Sequence, residues 1–234
     1  SYQWVNTGDP LPEGFDSVVM VEDVIENNGE VSLYAAATPW QHVRQIGEDI
    51  SAGDMIVPSF SELQAATLGA LLAAGVLNVE VFIKPTVAII PTGNELVTPK
   101  ENPSEGDIIE FNSTIFKSLF EDWGFRTQVL PIVPDVQSEI EDSLQEAMAS
   151  ADLVILNAGS SAGNKDFSTA ALQEVGEVLL HGIAIKPGKP AILAVGRYEE
   201  RVIPLVGLPG YPVSGILVLD QLIKPVASIL SGKQ

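Results

Sequence analysis

At 234 residues, 46% hydrophobic and 18% charged, the chain is long enough for one full domain plus part of another and apolar enough for a real core. Its 31 acidic residues against 12 basic ones leave a net charge of −19, which repels a phosphate backbone and argues against nucleic acid as a partner. The absence of cysteine excludes disulfides, zinc–thiolate clusters and thiol nucleophiles, and two histidines, His42 and His181, leave little for an imidazole metal site.

The opening residues carry no basic, apolar and small-residue signal pattern. The richest apolar stretch, Leu68 to Ile83, is broken by Asn78 and Glu80, short of the roughly 20 uninterrupted residues of a membrane span. These features predict a soluble, cytoplasmic protein with no membrane partner. Residues 1–37 read as β-hairpin material: turns at Thr7-Gly8-Asp9-Pro10 and Pro12-Glu13-Gly14, the apolar run Val18 to Val21, and Asn27-Asn28-Gly29 before Val31 to Tyr34. Residues 38–84 contain a Gly-punctuated segment and a helix predicted over Ser61 to Ala74, with Ser61 as its N-cap and Gly75 closing it. From Pro85 onward short apolar runs alternate with amphipathic helices, the signature of an α/β domain with a largely parallel sheet. Strands are predicted near 86–91, 126–133, 152–157, 190–196 and 201–206. Helices are predicted over 112–123, 136–149, 168–175 and 213–230.

In an open α/β sheet, ligands bind beyond the carboxyl ends of the strands, so the loops after them matter most. Thr92-Gly93-Asn94-Glu95, Pro134-Asp135, the run Asn157 to Asp166, and Gly207 to Pro212 follow predicted strands, which places Glu95, Asp135 and Asp166 along one rim. The Gly159 to Gly163 loop, with Ser160 and Ser161, can turn backbone N–H groups towards an anion. Lys186-Pro187-Gly188-Lys189-Pro190 sets two ammonium groups in a stiff loop of a lysine-poor chain, suited to clamping an oxyanion. Glu95, Asp135 and Asp166, with Asp49, form a carboxylate set of the kind that holds Mg²⁺.

Taken in order, these segments resemble the molybdopterin molybdotransferases, the family of MoeA and the gephyrin E domain. The matching stretches are Thr7-Gly8 with Pro12-Glu13-Gly14, Gly47 to Gly53, Thr92 to Leu96, Gly159 to Asp166, Ile185 to Pro190, and Gly207 to Gly210 with Pro212-Val213-Ser214. The resemblance implies a three-layer molybdopterin-binding α/β domain over 85–234, a mostly parallel sheet flanked by helices. Ahead of it come the C-terminal part of a β-barrel-like domain over 1–37 and a linker or helical segment of an elongated domain over 38–84. It implies insertion of molybdate into adenylylated molybdopterin with Mg²⁺ and release of AMP, in a homodimer whose site takes residues from both protomers, alongside other proteins of molybdenum cofactor biosynthesis. Carried over, Thr7, Asp49, Glu95, Asp135 and Asp166 are the implied catalytic groups, with Glu95, Asp135 and Asp166 on the metal. Thr92, Asn112, Gly159, Ser160, Ser161, Gly163, Lys186, Lys189, Pro209, Gly210 and Pro212 are the implied substrate contacts.

The sequence departs from the family in lacking an opening segment with Asp-Gly-Tyr-Ala and a closing small β domain, so it is expected to bind the pterin ligand but to insert molybdate poorly. The usual Gly-Gly-Val-Ser becomes Gly159-Ser160-Ser161 after Ala158, and the usual Gly-Asn-Pro becomes Gly210-Tyr211-Pro212. Two other readings stand beside the transferase: a non-catalytic molybdopterin-binding or regulatory module, and a molybdopterin adenylyltransferase-like enzyme. The adenylyltransferase has no counterpart for segments 4–23 and 42–58.

Overall fold

The computed structural model describes residues 2–99, 102–158 and 167–232. Two compact units divide the chain, Ser1–Ser59 with Leu63–Asn78, and Phe60–Glu62 with Val79–Gln234. In the first unit β1 (Val24–Asn27) and β2 (Glu30–Leu33) pair antiparallel with Asn27 opposite Glu30. The two-residue turn between them has φ of 50° at Asn28 and 81° at Gly29, the positive values that a tight hairpin turn of type I′ requires. The apolar run Val18 to Val21, expected to form the hairpin's first strand, does not. Its backbone is drawn off the ladder, with Val18 N–H donating to the Gln41 carbonyl at 2.9 Å, and Val21–Asp23 turns as a 3₁₀ helix. Helix α1 (Ala65–Ala73) starts four residues later than expected, because Gln64 is extended and acts as the N-cap in place of Ser61. Gly75 closes it at φ +80° as expected.

The second unit carries β3 (Thr86–Thr92), β4 (Leu96–Val97), β5 (Ile108–Ile109), α2 (Asn112–Asp122), β6 (Arg126–Val129), α3 (Gln137–Ser150), β7 (Leu153–Ala158), α4 (Phe167–Val175), β8 (Gly176–His181), β9 (Ile192–Tyr198), β10 (Arg201–Pro209), α5 (Pro212–Val218) and α6 (Lys224–Leu230). Its main sheet has the order β6-β3-β7-β10-β9-β8, with the first four strands parallel, β9 antiparallel to β10, and β8 antiparallel to β9. Alternation along β3 builds two cores. Ala88 and Ile90 face Ile140, Leu144 and Met148 of α3 and Leu172 of α4, whereas Val87 and Ile89 join Phe116 and Phe120 of α2 and Val218 and Ile223 of the last helical run. The result is the three-layer α/β sandwich anticipated from the alternation of strands and helices.

Particular residues explain where the elements differ from expectation. Pro131 and Pro134 stop β6 at Val129, and only a bridge between Thr92 and Val133 resumes the pairing. β10 runs on to Pro209, since Gly207, Leu208 and Pro209 stay in register with Leu156, Asn157 and Ala158 of β7, leaving Gly210-Tyr211 as the loop. β8 follows α4 without a turn signal and was not anticipated. The single helix expected over 213–230 is interrupted by a π turn at Leu219–Ile223, just ahead of Pro225, which has no N–H for the α ladder. By length and composition Pro212–Leu230 could cross a membrane, with mean hydropathy 1.6. Its Val218, Leu219, Ile223 and Ala227 are buried against the sheet, as in a core helix.

Candidate functional site

The chain leaves β3 for β6 on one side and β7 for β8, at the far edge, on the other, so the carboxyl ends of β3 and β7 form a switch point in the sheet. A cavity of about 610 Å³ opens there, lined by Thr92 from the end of β3 and Asn157 from the end of β7. The bridge between Thr92 and Val133, with Gly93 N–H donating to the Val133 carbonyl at 3.1 Å, brings Pro134-Asp135 beside Asn94-Glu95. Asn94 locks the pair: its Oδ1 accepts from the Asp135 N–H at 3.1 Å. Gly93 has φ +153°, and a Cβ there would lie 3.1 Å from Glu95 Oε2, so glycine leaves room for that carboxylate. Glu95 and Asp135 both line the cavity.

The opposite wall comes from β5 and the start of α2. Ile108 N–H donates to the Glu95 carbonyl at 2.7 Å and Glu110 N–H to the Val97 carbonyl at 2.8 Å, which fixes Ile108, Ile109, Glu110, Phe111 and Asn112 along the cavity. Glu110 Oε1 accepts from Ser113 N–H at 2.9 Å, doing for α2 what its aromatic N-cap residue, Phe111, does not. Asn112 Nδ2 donates to the Gly210 carbonyl at 2.7 Å and so ties this wall to Gly210, Tyr211 and Pro212, the third side of the cavity.

Three carboxylates line the cavity, and among the described residues no lysine or arginine does. The Asp135 carboxyl is raised above its ordinary value of 3.8 first by burial and then by the neighbouring Glu95 carboxylate, against a lowering hydrogen bond from the Asn94 backbone. Asn112 Oδ1 and Asn157 Oδ1 are buried acceptors without a partner among the described residues, on residues only 8% and 3% exposed. An orphaned buried acceptor costs about 1–3 kcal/mol, so both are poised for a donor. Among the described residues no three carboxylates or imidazoles converge closely enough to hold a metal ion by themselves.

The residues singled out in the sequence distribute as follows. Thr92, Glu95, Asn112, Asp135, Gly210 and Pro212 line the cavity. Pro209 ends β10 just before it. Lys186 and Lys189 are exposed on the segment into β9. Because β9 runs antiparallel to β10 and Ile192 sits opposite Gly207, that segment enters the sheet on the same rim, although neither lysine is among the lining residues. Thr7 and Asp49 belong to the first unit, where Thr7 is exposed and the Asp49 carboxylate pairs with Arg44. Gly159, Ser160, Ser161, Gly163 and Asp166 lie outside the described residues. Sequence reasoning did not single out Glu110 or Phe111. The one available signal was a Glu three residues ahead of Ser113 at a helix start, a capping spacing.

Residues 88–228 match the family described as a probable molybdopterin binding domain, and residues 1–75 match the MoeA N-terminal region, domains I and II. The chain is 36% identical over 231 residues to a molybdopterin molybdenumtransferase of Haemophilus influenzae, covering 98% of this chain and 56% of that protein. A molybdopterin molybdenumtransferase of Nostoc is 31% identical, with 97% of this chain and 52% of that protein covered. Among solved structures, a molybdopterin biosynthesis MoeA protein from Pyrococcus horikoshii superposes with a TM-score of 0.76 at 33% identity, covering 95% of this chain and 55% of that one. The chain thus spans about half the length of the relatives it matches.

Proposed function

This chain belongs to the probable molybdopterin-binding domain family, in the form that carries the MoeA N-terminal region ahead of it, and we propose that it acts as a molybdopterin molybdotransferase in molybdenum cofactor biosynthesis. In this reading it takes adenylylated molybdopterin and molybdate and yields molybdenum cofactor and AMP. The observation that carries the proposal is the acidic cavity at the switch point of the sheet, where Glu95 and Asp135 stand side by side.

Mg²⁺ fits this donor set. It is commonly held by one or two carboxylates together with substrate phosphates, and a cation relieves the repulsion that raises the Asp135 carboxyl. Glu95 and Asp135 would hold it, joined by Asp166. The ion supplies neutralisation of phosphate charge at the bond to be broken. Lys186 and Lys189, free of ion pairs among the described residues and standing on the same rim, attract the phosphate end of the ligand. Thr92, Asn157 and the Gly210 to Pro212 loop orient its ring end, with Gly159, Ser160, Ser161 and Gly163 assigned to the same wall. Thr7 and Asp49 are assigned to the reaction through a homodimer that completes the site.

The test is to incubate the chain with adenylylated molybdopterin, molybdate and Mg²⁺ and follow AMP release. Molybdate-dependent release that disappears in Asp135→Asn supports the reading. Tight ligand binding without release would make the chain a binding module instead.

A further inference from the structure

Two of the cavity's sides carry exposed aromatic rings. Phe111 is 47% exposed and Tyr211 is 64% exposed, and both line the cavity. Neither ring stacks on another aromatic residue among the described residues, and the Tyr211 hydroxyl has no hydrogen-bond partner there. Both occupy N-cap positions, Phe111 of α2 and Tyr211 of α5, and neither caps with its side chain. Those positions favour Ser, Thr, Asp or Asn, so local helix stability does not explain two large rings there. The hydrogen bond from Asn112 Nδ2 to the Gly210 carbonyl joins the residue after Phe111 to the residue before Tyr211 and so fixes the spacing of the two rings.

The same cavity offers hydrogen-bond acceptors in excess. Asn112 Oδ1 and Asn157 Oδ1 are buried without partners. The hydrogen bond to Gly210 also settles the orientation of Asn112, since turning its amide over would set oxygen against oxygen. Glu95 and Asp135 add carboxylate acceptors, and among the described residues no cationic side chain lines the cavity. A cavity that offers exposed aromatic faces together with unsatisfied acceptors suits a flat ring with N–H and amino donors on its edge. It does not suit an isolated phosphate.

We infer that Phe111 and Tyr211 are specificity-determining residues that stack a planar, amino-substituted nitrogen heterocycle while Asn112 and Asn157 accept hydrogen bonds from its edge. The inference rests on the cavity being the ligand site proposed above. Two rings in that proposed ligand share the chemistry, a pterin and an adenine, and the test separates them.

Binding of 6-hydroxymethylpterin, of AMP and of ribose 5-phosphate is measured by calorimetry on the full chain and on Phe111→Ala, Tyr211→Ala, Tyr211→Leu and Tyr211→Phe. Both rings are exposed, so the variants keep the core, and near-ultraviolet circular dichroism checks this. Stacking of a base on an aromatic side chain implies a loss of about fivefold or more on removing either ring. Tyr211→Leu keeps an apolar group without a flat face and should lose the ring probe as Tyr211→Ala does, whereas Tyr211→Phe should retain it. Ribose 5-phosphate, which has no ring base, should be indifferent to all four. Loss confined to 6-hydroxymethylpterin assigns the rings to the pterin, and loss confined to AMP assigns them to adenine. Equal affinity for both ring probes in the Ala variants, or no binding of either to the unaltered chain, overturns the inference. The transferase reading fails by a different result, the absence of molybdate-dependent AMP release.

Discussion

Gly215→Ala is the substitution whose effect the structure makes most calculable. Gly215 is buried in α5, and a Cβ there would lie 2.5 Å from Phe116 Cζ and 3.0 Å from Cε1, with the ring itself fully buried. Carbon atoms rest at about 3.5–4.0 Å, so helix or ring must move by about 1 Å. Overpacking of this kind costs about 1–3 kcal/mol, while Ala in place of Gly within a helix returns up to about 1 kcal/mol. The expected net loss is about 1–2 kcal/mol. In a Phe116→Leu background, which withdraws the ring edge, the same substitution should become neutral or stabilising, a coupling of about 2 kcal/mol between the two positions. Urea unfolding followed by Trp123 fluorescence, with Trp4 and Trp40 replaced by Phe, reads the second unit alone, because Trp123 sits against Phe120 at 5.2 Å in that unit. Effects that add within about 0.5 kcal/mol would refute the packing argument. The strain also has a route to the cavity. Gly215 N–H donates to the Tyr211 carbonyl at 3.1 Å, so an outward shift of α5 pulls on Tyr211 and on the Asn112–Gly210 bond.

Asp135→Asn should stabilise the chain at neutral pH, and the gap should close as pH falls. The carboxyl is raised above 3.8 by burial and Glu95, so wild type is uncompromised below the unfolded value and loses stability as pH rises through the folded one; thermal melts of both chains at neutral and acidic pH check the sign. Millimolar Mg²⁺ should raise the melting temperature of wild type and leave Asp135→Asn unmoved, and equal shifts in the two would remove Asp135 from the proposed metal set. Gly93→Ala should abolish that Mg²⁺ response and also lower the melt without Mg²⁺, since its Cβ would crowd Leu96 Cγ at 3.0 Å and the Glu95 carboxylate at 3.1 Å at a φ of +153° that strains an L side chain. Arg201→Ala should cost about 1 kcal/mol in urea unfolding, because Arg201 Nη2 donates to the Met148 and Ala149 carbonyls at 2.8 and 2.9 Å and closes the end of α3 from a half-exposed position.

Much of the second unit was legible because its strands are short, apolar and separated by amphipathic helices. The run Val87 to Ile90 has no polar residue and is fully buried on both faces of the sheet, which is what a central parallel strand demands. Thr92, Glu95 and Asp135 fall at strand ends for the same reason, and the structure lines one cavity with all three. Strand-edge pairing was harder to read. Val18 to Val21 looks like a strand by composition, but its Val18 N–H donates to the distant Gln41 carbonyl and its end turns into a 3₁₀ helix, and no local pattern announces that. β8 carries Leu179 and Leu180 exposed on the sheet's outer edge, so its burial pattern lacks clean alternation. The aromatic wall was illegible in a different sense. Phe111 stands where a capping residue is expected, and only the folded chain shows that Glu110 caps in its place and frees Phe111 to face the cavity.

The charge layout imposes an order on how a ligand with both a flat ring and phosphate groups must sit. The cavity carries Glu95, Glu110 and Asp135 with no cationic side chain among its described lining residues, in a chain of net charge −19, so a phosphate pushed in beside them meets repulsion. In the proposed arrangement the ring end escapes that repulsion, since its donors would meet the unpartnered Asn112 Oδ1 and Asn157 Oδ1 and its faces Phe111 and Tyr211. The phosphate end belongs at the rim, where Lys186 and Lys189 stand exposed on the segment into β9, and it can approach Glu95 and Asp135 only with a divalent cation between. Ring recognition and cation binding are then separable in the apo chain and become coupled once a phosphate joins them. By linkage that coupling is reciprocal, with Mg²⁺ tightening the phosphate-bearing ligand by the same factor as that ligand tightens Mg²⁺.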